Sequence, residues 1–229
     1  MSATSKACFT LPETSEAERR RASRLYASLE KAYPDATCAL HYQTPHELLV
    51  ATILSAQSTD VGVNKATPNL VQAFPTPADY AAVTPEELQP WISSIGLYRN
   101  KSKAIHEAMK RIVTDYRGDV PATMEDLLTL RGVARKTANV VLGNAFGINV
   151  GVVVDTHVMR LAKRFSLSEH KAVDKIERDL MALFPRPKWT QLSHLLIAHG
   201  RTVCKARHAK CAEDSICRRY CNCEWCPTK

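Results

Sequence analysis

Apolar residues in this chain recur at intervals of three and four, the spacing that lines one face of an α-helix. Ala104, Ile105, Ala108, Met109, Ile112 and Tyr116 form one such stripe. Val158, Leu161, Ala162 and Phe165 form a second, and Val173, Ile176, Leu180 and Leu183 a third. Alternation with period two, the mark of a half-buried strand, is nearly absent. The stretch from Leu48 to Ala56 carries no charge and is too long for a typical strand, so it reads as a helix buried on most sides and therefore central. One run looks strand-like, Val150 to Val154, but its five residues end at Asp155, where a helix begins, and are too few to decide a conformation. Helix starts are marked by Thr44-Pro45, Thr67-Pro68, Thr76-Pro77 and Thr84-Pro85. Each sets a capping hydroxyl before a proline whose missing N–H costs nothing in a first turn. Glu47 and Glu87 complete capping boxes, as Glu18 does for Ser15. The fold class expected is all-α.

At 229 residues the chain is long enough for one large domain or two small ones, and folding should bury roughly 70% of the unfolded surface. Only 8 glycines occur, with no Gly/Ser-rich linker and no internal repeat, so any division must be between elements packed directly on one another. A composition of 45% hydrophobic and 24% charged residues excludes wholesale disorder, and no apolar run approaches the ~20 residues of a membrane span. Met1 to Thr14 has neither an apolar signal core nor the arginine-rich character of a transit peptide, which makes a cytoplasmic protein the expectation.

The net charge of +8 favours a polyanionic partner. Between Leu127 and Ser168 stand Arg131, Arg135, Lys136, Arg160, Lys163 and Arg164 against a single acid, Asp155. Within that stretch, residues 127 to 141 read as a helix, a short turn containing Gly132, and a second helix. A tight turn of this kind points backbone N–H groups outward at a helix start, where they and the helix dipole suit a phosphate oxygen. An ordinary αα-hairpin has the same appearance. Asp155, just before a periodic helix, is also a standard N-cap. Cysteines crowd the C-terminus: Cys204, Cys211, Cys217, Cys221, Cys223 and Cys226 fall within 23 residues, while Cys8 and Cys38 stand apart. Without an export signal this crowding points to a metal or cluster site rather than a disulfide framework.

The sequence from Leu127 to Val141 resembles the helix-hairpin-helix of the endonuclease III family of DNA glycosylases, whose pattern is Leu-Pro-Gly-Val-Gly-Arg-Lys-Thr-Ala-Asn. Val154-Asp155-Thr156-His157 resembles the family's aspartate motif, residues 54 to 60 its buried-helix motif, and Ile95-Gly96-Leu97-Tyr98 its wedge loop. Together with His199-Gly200-Arg201 these span residues 40 to 226. The resemblance implies two helical domains flanking a catalytic cleft: residues 36–149 as a helical barrel with the hairpin, residues 150–229 as a cluster domain, and residues 1–35 packing with the latter. It implies a bifunctional DNA glycosylase and abasic-site lyase, monomeric, acting on oxidised pyrimidines in duplex DNA of a bacterial nucleoid.

Lys136 would then be the nucleophile that attacks the sugar C1′, and Asp155 the carboxylate that stabilises positive charge there. A lysine of ordinary pKa, about 10.4, must be shifted down by roughly 2 to 3 units to supply a neutral amine at pH 7. A first-turn position beside Arg135 and near Arg131 would push that way, whereas pairing with Asp155 would push back, so a tight Lys136–Asp155 pair is not expected. By the same resemblance Gln57 and Leu97 fill the space of the extruded nucleotide, and Arg131, Gly132, Ala134, Arg135 and Thr137 contact DNA.

The family's iron-sulfur loop holds a [4Fe-4S] cluster with spacing Cys-x6-Cys-x2-Cys-x5-Cys. This chain departs from it, because position 214, where the third ligand belongs, is Asp. The set Cys204, Cys211, Cys217 and Cys223 keeps the first and last intervals; a set using Cys223-x2-Cys226 remains an alternative, and that spacing also suits zinc. Lys205, Arg207 and Lys210 make the loop basic, fitting an architectural brace more than a redox catalyst. Arg131 stands where the family has Pro, and Ala134 where it has a second Gly. The methyl of Ala134 could obstruct a phosphate or a left-handed backbone, with the Arg131 charge compensating. Two rival readings remain: a non-catalytic structure-specific DNA-binding module, and a monofunctional adenine glycosylase of the same superfamily.

Overall fold

The computed structural model describes residues 10–207 and 209–223, and no strand occurs among them. The helices are α1 (Glu16–Ala32), α2 (Pro45–Ser55), α3 (Asp60–Ala73), α4 (Pro77–Ala82), α5 (Pro85–Ile92), α6 (Tyr98–Tyr116), α7 (Met124–Leu127), α8 (Arg135–Ala145), α9 (Thr156–Arg164), α10 (Val173–Leu183), α11 (Trp189–Thr202) and α12 (Ser215–Tyr220). None is long and apolar enough to cross a membrane. Cys8 and Cys226 lie outside the described residues, so the alternative ligand set with Cys226 does too. The chain divides into two units: Cys38–Val150, and the residues up to Thr37 joined with those from Gly151 onward.

In the first unit α2 is the axis. Leu48 through Leu54 are buried without interruption, because no residue there needs water and the one hydroxyl, Thr52, donates to the Leu48 carbonyl of its own helix at 2.7 Å. Around it pack α3, α6 and α8, and α6 in turn carries α4 and α5 on its stripe of Ala104, Ile105, Ala108, Met109 and Ile112.

Capping sets where these helices begin. Thr44, Thr76 and Thr84 each accept the N–H three residues on, with proline in the first turn. Thr76 forms a full box with Asp79, and Thr84 with Glu87. Two expectations are corrected. Glu47 reaches past the cap to the backbone N–H of Gln43, at 2.7 Å, instead of closing a box on Thr44. Thr67-Pro68 starts nothing: both residues lie inside α3, whose cap is Thr59, accepting from Gly62 N–H at 3.1 Å. The stripe of Val63, Ala66, Thr67 and Leu70 runs through the proline, and its burial outweighs the one lost backbone bond.

The second unit packs α1 and α9 against α11, and α10 against α9 and α1, with Leu25, Leu29, Val158, Leu161, Leu192 and Leu196 in one core. Val152 and Val154 are buried in it, but the run they belong to is no strand: the N–H of Val153 donates to the Ser193 hydroxyl at 3.1 Å.

Burial also perturbs His194 of α11, pushing its pKa down to about 4. The imidazole is thus neutral in the folded protein, while the unfolded chain takes up a proton near pH 6.5. Stability contributed by this site is therefore complete above that pH and is expected to fall by about 3 kcal/mol as pH drops from 6.5 toward 4. Urea denaturation across that range should show the loss, and His194→Gln should flatten it.

Candidate functional site

The hairpin from α7 to α8 is held down by Leu127, Leu130 and Val133, all buried. Gly132 turns it, with φ of +80°, and a Cβ there would lie 3.0 Å from the Ala104 Cβ and 3.6 Å from the Ile53 side chain. Backbone conformation and close approach both demand glycine. Ala134 does not share that demand. It is the N-cap of α8 with φ −97° and ψ 171°, so its methyl meets no left-handed strain, which corrects the backbone concern raised by the missing glycine. No side chain caps α8, leaving its first-turn N–H groups directed outward at an end that favours anions. Arg135, Lys136 and Thr137 make up that first turn; Lys136 is exposed and the other two are half-buried. The Arg131 guanidinium pairs with the Glu107 carboxylate of α6, so its charge is balanced within the protein.

In the same unit, two further turns stand close together. Gln57 (φ 53°) follows the end of α2, and Leu97 (φ 59°) is the N-cap of α6. Non-glycine residues rarely adopt this left-handed conformation. Gly96 packs against the Gln57 turn, a Cβ there meeting the Gln57 carbonyl at 3.9 Å. Both side chains face solvent, Leu97 with 55% exposure.

In the other unit Asp155 caps α9, its Oδ1 accepting the Val158 N–H at 2.8 Å and its Oδ2 lying 3.0 Å from His157 Nδ1. Helix α9 is riveted to the cysteine loop. Arg160 donates to the carbonyls of Gly200 (2.9 Å) and Cys204 (3.2 Å), and Arg164 to the Lys205 carbonyl (2.7 Å) and the Cys204 sulfur (3.2 Å). Gly200 permits this, since a Cβ there would sit 3.0 Å from the Arg160 guanidinium and 3.3 Å from His157.

Cys204, Cys211, Cys217 and Cys221 are buried thiols whose sulfurs all lie within 4.8 Å of one another. Hydrogen bonds from Cys217 and Cys221, with help from Arg164, pull the Cys204 thiol down toward its thiolate. The shared hydrogen bonds with Cys204 push Cys217 and Cys221 up, and burial does the same to Cys211. Four buried thiols that cannot all ionise alone are suited to a bound cation, which would let every sulfur carry charge.

The fourth member departs from the expected Cys223. Cys221 follows Cys217 by one helical turn at the end of α12, its N–H donating to the Cys217 carbonyl at 2.8 Å, so the two sulfurs share a face. Cys223 is half-buried at the rim, within hydrogen-bonding reach of Cys211 and Cys221. Asp214 takes up a structural task, capping α12 through the Cys217 N–H at 2.7 Å. His199, which no ligand spacing marks as a metal residue, packs inside α11, fully buried, with Nε2 3.2 Å from the Cys217 sulfur and Nδ1 2.9 Å from the Tyr33 hydroxyl. Burial pushes its pKa down, so a neutral imidazole meets the thiol.

Comparison with known proteins places these features in context. The family described as HhH-GPD superfamily base excision DNA repair protein matches residues 50–186. Endonuclease III of Synechocystis sp. is 52% identical over 199 residues, 87% of this chain and 91% of that protein. Endonuclease III of Bacillus subtilis is 47% identical over 190 residues, 81% and 86% of the two chains. The solved structure of a trapped endonuclease III–DNA covalent intermediate superposes with a TM-score of 0.84 at 40% identity, covering 89% of this chain and 95% of the other. A thermostable thymine-DNA glycosylase shares the fold, with a TM-score of 0.78 at 21% identity.

Metal analysis tests the thiol geometry. Cys221→Ala should lose most of the metal bound per chain, whereas Cys223→Ala should retain it; the reverse would restore the set expected from spacing.

Proposed function

Since the chain belongs to the endonuclease III family of the HhH-GPD superfamily, and is thus a base excision repair DNA glycosylase and lyase acting on damaged bases, we propose that it removes oxidised pyrimidines from duplex DNA as a monomer through Lys136 and Asp155. The observation that carries this reading is an exposed lysine in the uncapped first turn of α8. The outward N–H groups of that turn suit a phosphate of the DNA backbone, which sets register without reading sequence. Lys136 then attacks C1′ of an extruded nucleotide as the N-glycosidic bond breaks and the base leaves with the bonding pair. The two amine protons pass to the departing base and to the ring oxygen O4′ as the sugar opens, which gives an imine between Nζ and C1′. Removal of a C2′ proton expels the 3′ phosphate by β-elimination, and hydrolysis returns the amine. Asp155, held rigid by the Val158 N–H and His157, stabilises the positive charge that builds at the sugar during base loss.

Gln57 and Leu97 are suited to take the place of the extruded nucleotide, offsetting part of the few kcal/mol of lost stacking. Arg131, Gly132, Ala134, Arg135 and Thr137 form the backbone-contacting hairpin in this reading, with Arg131 contributing less charge than a lone arginine because Glu107 balances it.

The four buried thiols fit a [4Fe-4S] cluster on Cys204, Cys211, Cys217 and Cys221. Bound there, it would supply cross-links among the loop, α11 and α12. Arg160 and Arg164 connect that loop to α9 and so to Asp155, which supports a bracing role.

Borohydride reduction in the presence of duplex oligonucleotides bearing oxidised pyrimidines should give a covalent protein–DNA adduct. Lys136→Gln should abolish it, and Asp155→Asn should slow base release by roughly 10² to 10⁴-fold. Base release from adenine mismatches without any adduct would favour the monofunctional rival; tight binding with neither would favour a binding module. Iron and sulfide analysis with absorption near 400 nm should accompany the assay, and stoichiometric zinc would overturn the cluster assignment.

A further inference from the structure

Lys101 is a lysine in the wrong place. It belongs to the first turn of α6, where the helix dipole disfavours a cation, and only 5% of its surface is exposed. An amphipathic helix would ordinarily put lysine on its wet face. The ammonium is held by two acceptors: the Leu54 carbonyl at 2.8 Å and the Ser58 hydroxyl at 2.9 Å. Leu54 is in the last turn of α2, where carbonyls lack helical partners and the dipole favours positive charge. The unfavourable end of one helix is thus offset by the favourable end of another.

The two acceptors bracket Gln57 in sequence. On its own helix, Lys101 donates its backbone N–H to the Leu97 carbonyl at 3.1 Å. A single residue therefore reaches both left-handed turns: its amine fixes the chain on either side of Gln57, and its backbone closes the turn that presents Leu97. Each of those turns holds a non-glycine residue in a conformation it would leave if untied. The two turns are in contact at Gly96, whose Cβ position lies 4.0 Å from the Ser58 hydroxyl as well.

Resting on the proposed reading of Gln57 and Leu97 as strand-inserting residues, we propose that Lys101 is a positioning residue that clamps the two turns together, so that both side chains enter the duplex in a preset geometry. Lys101 does not touch DNA. Its effect is on the step that opens the duplex, and substrates that need no opening should not feel it.

The test uses the full-length holoenzyme and the variant Lys101→Met, which keeps the length of the side chain and removes its donors. Adduct formation is measured under borohydride on two substrates, a duplex containing an abasic site and the same abasic strand alone. Binding is followed separately by 2-aminopurine placed opposite the lesion, which brightens when the opposing strand is unstacked. Lys101→Met should slow trapping on duplex by about tenfold or more and weaken the 2-aminopurine response, while single-strand trapping stays within about twofold of the parent. Ser58→Ala, which removes one of the two acceptors at the surface, should shift the duplex-to-single-strand ratio in the same direction by less, and it decides the matter if Lys101→Met does not fold. Equal slowing on both substrates, or an unchanged ratio in both variants, would overturn the clamp. A parent enzyme that forms no adduct at all would instead count against the proposed chemistry, and the 2-aminopurine response would still report on the clamp.

Discussion

Complete burial of α2 is the constraint from which the Cys38–Val150 unit follows. A helix with no charge from Leu48 to Leu54 must be covered on all sides, and α3, α6 and α8 do the covering. That enclosure has consequences at the residues of interest. Ala104 of α6 stands so close to the hairpin that a Cβ at position 132 would meet it at 3.0 Å. The terminal carbonyl of Leu54 becomes a buried acceptor that the Lys101 amine satisfies. Just past the helix end, the chain must turn sharply, and Gln57 does so in the left-handed region. Hairpin, buried lysine and left-handed turns are all outcomes of packing around one apolar rod.

The second unit obeys a different logic. Its cysteine segment is short, basic and poor in apolar residues, so burial alone cannot order it. What ties it down is the thiol group at its centre and the hydrogen bonds around it: His199 to Cys217, Arg164 to Cys204, and the cap of Asp214 on α12. Helix α9 shares these restraints, since Arg160 and Arg164 project from it into the loop backbone. Asp155 at its first turn is therefore supported by the loop from a distance, a connection that makes sense of a braced cysteine segment in a protein whose chemistry does not require electron transfer.

How far the sequence could be read depended on whether the deciding partner was near in the chain. Caps at Thr44, Thr76 and Thr84 were readable because the N–H they accept lies three residues on, and the stripes of α6, α9 and α10 because helical periodicity is local. Thr67-Pro68 carried the same local signal and misled, since burial of the α3 stripe overrode it. The spacing of Cys217 and Cys221 is one helical turn and was open to view, yet counting intervals along a familiar pattern favoured Cys223. The turn at Gly132 is legible in the sequence, but the closeness of Ala104 is not.

The amino-acid pattern by itself therefore determined an all-helical chain, the helix starts at Thr44, Thr76 and Thr84, its central apolar helix, its hairpin and the crowding of its thiols, all of which rest on neighbours within a few positions. Tertiary structure alone decided which thiols meet, that Arg131 is balanced by Glu107, and that Lys101 is buried rather than solvated. The Lys101 amine finds its acceptor 47 residues away, and nothing in its own helix announces that partner. A charged side chain reads as surface until packing brings an orphan carbonyl to it, and that meeting is set by the burial of another helix.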